Sequence, residues 1–160
     1  MICISLYFDE QTNERFSRLS KKIQEFTNVS YEIPYHITLC AGYQNLKLDS
    51  VFSSFDIEFV SLGILNNSIC VFPIIDASLY NAYKVAQDTI DEQNCNRYYP
   101  KGKIFSHVTL CKHLTSKQLS DVFLAIQNNF KPFKGKVVRC SITQTNPYQE
   151  LNIYKLKEGD

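Results

Sequence analysis

Two short stretches hold the residue types that can move protons near neutral pH. They are Tyr35-His36-Ile37-Thr38-Leu39-Cys40 and Ser106-His107-Val108-Thr109-Leu110-Cys111. The shared pattern is His-[Ile/Val]-Thr-Leu-Cys. An imidazole with an ordinary pKa of about 6.5 serves as base when neutral and as acid when protonated. Two of them across a cleft suit concerted chemistry at phosphorus. One takes a proton from water or a ribose hydroxyl, and the other protonates the leaving oxygen. The Thr38 and Thr109 hydroxyls can hydrogen-bond the non-bridging oxygens as charge builds.

The elements that must carry these groups are strands. Both copies are short, apolar and β-branched. Alternation places His36, Thr38 and Cys40 on one face, about 7 Å between successive members, and Ile37 and Leu39 on the other. The same split holds for His107, Thr109 and Cys111 against Val108 and Leu110. The cysteines are expected to be packing residues rather than nucleophiles. A zinc site on one such strand is disfavoured, because His36 and Cys40 would lie roughly 13 Å apart, and no third ligand for a shared site is evident. His113, without a threonine partner, reads as an ordinary imidazole.

The rest of the chain reads as alternating strands and helices. A strand at 2–8 precedes an amphipathic helix at 10–27 with Phe16, Leu19, Ile23 and Phe26 inward. The first His-x-Thr strand is expected at 35–41. A helical turn is expected at 48–54, with Leu48, Val51 and Phe52 inward. Strands 57–65 and 68–75 meet at Asn66-Asn67, which suits a tight hairpin. A helix begins near Ala77, with Leu79, Tyr83, Ala86 and Ile90 on one face. Residues 94–104 form a polar loop, and the second His-x-Thr strand spans 105–112. Thr115 is the expected N-cap of a helix over 116–130. Strands 136–144 and 149–156 close the chain through Asn146-Pro147.

Strand, helix, His-x-Thr strand, helix, strand occurs over 2–65 and again over 69–144, with Ile2 standing to His36 as Ile69 stands to His107. A single domain over 1–160 follows, with lobes at about 1–65 and 66–160 and the two motifs facing each other. The 160 residues carry no apolar run near the ~20 needed for a membrane span. The N-terminus reads as a strand rather than a signal peptide. Six cysteines without a C-x-x-C pair read as free thiols of a reducing cytoplasm. Residues 1–80 hold 5 basic and 9 acidic side chains, net −4, whereas 81–160 hold 12 and 7, net +5. That asymmetry suits a phosphate-bearing ligand.

The paired motifs and element order resemble the 2H phosphoesterases, which include 2′-5′ RNA ligase-like proteins and cyclic nucleotide phosphodiesterases. The run from Ser61-Leu62-Gly63 through Val71-Phe72 and the ending from Cys140-Ser141-Ile142 to Tyr148 and Leu151-Asn152-Ile153-Tyr154 resemble that family too. Ser106 stands where many members have Pro before the second His. The resemblance implies an α+β, bilobal, duplicated fold. Its two pseudo-two-fold related lobes would line a central cleft with antiparallel sheets, helices outside. It also implies a metal-independent phosphodiesterase, without cofactor, that uses His36, Thr38, His107 and Thr109, with His107 as base and His36 as acid.

The expected substrates are nucleotides, oligonucleotides or RNA ends: a 2′,3′-cyclic phosphate, a 2′-5′ or 3′-5′ linkage, a cyclic phosphate of ADP-ribose, or a signalling oligonucleotide. The alternatives are a non-catalytic nucleotide- or RNA-end-binding module and a 2′-5′ RNA ligase. Tyr43, Tyr99 and Tyr148 are candidates to stack a base, and Lys103 and Arg139 to neutralise phosphate. Tyr98 and Tyr99 could form a lid. A monomer without membrane contact is expected, in the cytoplasm of a bacterium or, for a viral protein, of its host.

Overall fold

A computed structural model describes residues 1–159. The described strands and helices are β1 (Ile2–Phe8), α1 (Glu10–Thr27), β2 (Ile37–Gly42), β3 (Phe55–Leu65), β4 (Ser68–Pro73), α2 (Ala77–Gln87), β5 (Val108–Cys111), α3 (Ser116–Gln127), β6 (Phe133–Thr145) and β7 (Tyr148–Lys155). The strands form one antiparallel sheet in the order β2-β1-β6-β3-β4-β5, with β7 also paired to β6. This is the α+β architecture expected from the sequence. Strands from the two halves of the chain are mixed in it: β3 pairs with β4, and β6 joins β1 to β3.

Local chemistry sets the element ends. Asp9 and Asp76 cap α1 and α2 by accepting from the Thr12 and Leu79 amides. Thr115 caps α3 in a full capping box with Gln118. Asn28 ends α1 in the left-handed conformation, and Asn66 turns the β3–β4 hairpin with φ 53°. Between the helices and the sheet lies a core of aromatic rings, Phe8, Phe16, Phe59 and Phe133, in edge and tilted contacts.

Two expected packing positions differ. Phe26 is exposed, because the inward stripe of α1 runs through Thr12, Phe16, Ile23 and Thr27, and Thr27 occupies the last inward position. Residues 48–54 form no helix. Leu46 and Leu48 are buried while Lys47 and Asp49 are exposed, an extended period of two, and Val51 faces solvent.

The two motif strands are built alike in detail. On β1–β2 the ladder pairs Ile4 with Cys40, Ser5 with Thr38 and Leu6 with Ile37. On β4–β5 it pairs Ile69 with Cys111, Cys70 with Thr109 and Val71 with Val108. In each, one extra residue, Leu39 or Leu110, forms a bulge at the same place. The register makes Ile4, not Ile2, the counterpart of Ile69.

The bulge also corrects the faces. It turns Cys40 and Cys111 away from the threonines and into the core with Leu39 and Leu110. Cys40 Sγ then lies 3.5 Å from the Ala86 carbonyl of α2.

Candidate functional site

His36 and His107 sit one residue before β2 and β5, half-buried. Each ring is fixed in the same way. His36 Nδ1–H donates to the Pro34 carbonyl at 2.7 Å, and His107 Nδ1–H donates to the Phe105 carbonyl at 3.2 Å. A carbonyl can only accept, so the neutral form of each ring leaves its Nε2 lone pair free for the cleft. Rings brace them from the side. Tyr7 lies 5.9 Å from His36, and Phe105 and Phe72 lie 5.1 and 6.4 Å from His107.

The two rings and both threonines line one cavity of about 220 Å³. The structure thus brings His36, Thr38, His107 and Thr109 to one space, although they come from opposite ends of the sheet. The floor of the cavity is polar and uncharged. Cys3 and Ser5 of β1 and Thr143 and Thr145 of β6 line it. Lys112, which follows the second motif directly, is the one Lys or Arg lining the cavity among the described residues. No carboxylate among the described residues lines it. Among the described residues no three His, Cys, Asp or Glu side chains come together as a metal site would require.

Burial lowers the pKa of both histidines, by disfavouring the imidazolium. The Lys112 ammonium pushes His36 further down, and His36 does the same to His107. Cys3 is pushed up to about 11 by burial, and Cys70 likewise to about 11, so both stay thiols near neutral pH. Cys70 Sγ lies 3.8 Å from Thr109 Oγ1. All six cysteines are free among the described residues.

The other expected contacts divide. Tyr148 and Tyr99 line the cavity. Burial raises the phenol pKa of each, so both are neutral donors. Tyr148 OH is 2.9 Å from Tyr7 OH. Arg139 stands behind this wall: its guanidinium lies 4.4 Å over the Tyr7 ring and 3.1 Å from Glu150, so its charge is already paired. Tyr43 is largely exposed and does not line the cavity; its hydroxyl accepts from Asn96 and secures a loop. Lys103 is exposed, and its carbonyl accepts from Gln87. Sequence reasoning missed Ser5, Tyr31, Thr143 and the role of Lys112. The position of Lys112, one residue past the second motif, was the one signal that could have found any of them.

No protein-family model matches the chain, and no curated protein matches it. Solved structures do. TT0787 of Thermus thermophilus superimposes with a TM-score of 0.69 at 11% identity, over 99% of each chain. Apo LigT of E. coli gives 0.65 at 12% identity, over 98% of this chain and 97% of that one. LigT complexed with 3′-AMP gives 0.64 at 11% identity, over 98% of each. The chain therefore has the LigT-like α+β fold that the paired motifs led one to expect, and at these identities the likeness is one of fold.

Proposed function

We propose that this chain is a 2H-type phosphodiesterase that cleaves nucleotide or RNA phosphodiesters without a metal. One domain would serve, each half contributing one His-x-Thr strand. The observation that carries the reading is the pairing of two similarly tethered imidazoles, each with a hydroxyl neighbour, around one cavity whose described lining holds one lysine, no arginine and no carboxylate.

In this reading one neutral Nε2 takes a proton from water or from the neighbouring ribose hydroxyl. That oxygen forms the new bond to phosphorus as the bond to the leaving oxygen breaks. The other histidine, protonated, gives its proton to the leaving oxygen, so the pair ends with its roles exchanged. Thr38, Thr109 and Lys112 stabilise the charge on the non-bridging oxygens. LigT binds 3′-AMP in the similar structure. A nucleotide ligand for this chain rests on that likeness and on the cavity chemistry.

The resemblance assigns His107 as base and His36 as acid. Like charge opposes protonation of both rings, the Lys112 ammonium at His36 and the His36 imidazolium at His107. A bound phosphodiester offsets the Lys112 ammonium, which favours His36 as the acid.

The test is turnover of a panel of 2′,3′-cyclic nucleotides, 2′-5′ and 3′-5′ oligonucleotides, and cyclic oligonucleotides, in EDTA. Activity that survives chelation and disappears in His36→Ala and in His107→Ala is expected. Undiminished activity in both variants would contradict the scheme. Loss on chelation, restored by zinc, would point to a metal enzyme, and binding without turnover to a recognition module. Joining of 2′-5′ RNA ends would place the chain with the ligases instead.

A further inference from the structure

Lys112 brings the one lysine ammonium to the cavity among the described residues, on a long flexible stem that would by itself let the charge swing into water. Other lysines of the chain are tied down by oxygen. Lys101 Nζ donates to the Ile90 carbonyl, and Lys117 pairs with Asp121 at 2.7 Å. Among the described residues Lys112 forms no ion pair. Its ammonium lies instead over the ring of Tyr31, with Nζ 6.0 Å from the centroid. That is within reach of the attraction between a cation and an aromatic face.

Tyr31 comes from the other half of the molecule, in the segment between α1 and β2. No strand or helix fixes that segment, so caps and side chains must. Asn28 turns the chain out of α1 in the left-handed conformation, and Thr27 Oγ1 accepts from the Val29 amide. Cys111 Sγ lies 3.9 Å from the Val29 carbonyl, which ties the segment to the end of β5, one residue before Lys112. Beyond Val29 a column of rings takes over. Tyr31 stacks on Tyr35 with centroids 6.1 Å and planes 29° apart, and Tyr35 meets the fully buried Phe16 at 5.4 Å. The column runs from the core to the cavity, and the Lys112 ammonium sits at its end. Burial raises the Tyr31 phenol pKa, so the ring meets the ammonium uncharged near neutral pH.

We propose that Tyr31 is a positioning residue, whose ring face holds the Lys112 ammonium in the cavity that His36 and His107 share. The charge that sets the second half apart is thus kept in place by the first half. An anionic ligand group then meets an ammonium with little freedom left to lose. The role of Tyr31 rests on the phosphodiesterase reading only for the identity of that anion.

The experiment titrates His36 by NMR in the native protein, Tyr31→Ala, Tyr31→Phe, Lys112→Ala and the Tyr31→Ala/Lys112→Ala double variant. The groups that face His36 are Tyr7 from β1, His107 across the cavity and Lys112, and Lys112 is the one that stays charged near neutral pH. Loss of the ring frees the ammonium, so Tyr31→Ala should raise the His36 pKa by at least about half of the rise in Lys112→Ala. Tyr31→Phe keeps the aromatic face and should leave His36 at its native value. In the Lys112→Ala background, Tyr31→Ala should add nothing. An unmoved His36 in Tyr31→Ala overturns the proposal. So does an equal rise in both backgrounds, which is what better hydration of His36 alone would give, and so does a Tyr31→Phe that behaves as Tyr31→Ala. The native protein supplies a readout free of any folding defect. Nuclear Overhauser contacts between the Lys112 ε-protons and the Tyr31 ring are expected, and their absence overturns the proposal as well. None of these readouts needs turnover. A chain that cleaves no ester still shows whether Tyr31 holds Lys112, and an active enzyme with an unmoved His36 keeps its function and loses the positioning.

Discussion

The β1–β2 and β4–β5 pairs share a ladder register, a bulge and a tethered histidine, and differ in what surrounds them. Opposite Thr38 stands Ser5, whose hydroxyl is buried without a partner among the described residues. Opposite Thr109 stands Cys70, whose sulfur engages the threonine at 3.8 Å. One residue beyond the bulge cysteines the first pair has Ala41, fully buried, and the second has Lys112, in the cavity. One residue further, Gly42 is wedged against a loop, while His113 takes a left-handed φ of 65°. His36 is backed by Tyr7, whereas His107 opens onto a second recess. The backbone of the two halves is thus kept equal around the two histidines, as the proposed proton transfer requires. The side chains diverge around them, which would give the proposed site a direction.

The largest expected effect tests the equality. His36→Ala and His107→Ala should each lower turnover by about 100- to 10,000-fold. A large loss in one and a small loss in the other would mean that only one half carries the chemistry.

Lys112→Ala tests the asymmetry of charge. A loss of about tenfold or more in kcat/KM is expected. The His36 pKa should rise, since the ammonium that lowers it is gone, and a histidine titration by NMR reads this directly. An unmoved His36 would remove Lys112 from the site.

Gly42→Ala tests the packing difference. A Cβ there would collide with Ile90 Cδ1 and meet the Asn94 carbonyl at 2.6 Å, and that carbonyl is held by the Tyr43 amide. About 1–3 kcal/mol of stability should be lost, read as a lower urea midpoint. A neutral result would mean that the loop can yield.

The smallest effect concerns Ser5→Ala, which removes a buried hydroxyl without a partner. Stability should stay level or rise by up to about 1 kcal/mol. A clear loss would show that the hydroxyl finds a partner in the working protein.

Much of this was legible in the sequence because its causes are local. Thr115 announces a helix start, Asn66-Asn67 announces a hairpin, and the repeated His-x-Thr announces the side chains that meet in one cavity. What was not legible depends on partners distant in the chain. The bulges at Leu39 and Leu110 are properties of strand pairing, so simple alternation put Cys40 and Cys111 on the wrong face. Ser5 and Thr143 come to the cavity only because β1 and β6 lie beside each other. Arg139 looked free for phosphate because its partner Glu150 lies on the next strand. Lys103 and Tyr43 stand near the motifs in sequence, yet their backbone or hydroxyl secures the loop between α2 and β5.

The central claim is that the two histidines act as one acid–base pair in a shared cavity. The pH dependence of kcat/KM in the native protein and the two alanine variants tests it most directly. One imidazole must be neutral and the other protonated, so the native profile should be a bell. Burial lowers both pKa values, so the maximum should lie on the acid side of about 6.5. The folded chain holds His36 and His107 less protonated than the unfolded chain does. Their contribution to stability is therefore present above about 6.5 and is lost as pH falls through the folded values, which an unfolding series separates from the rate. Each alanine variant should lose one limb of the bell along with most of its rate. A bell that survives intact in either variant would contradict the paired mechanism.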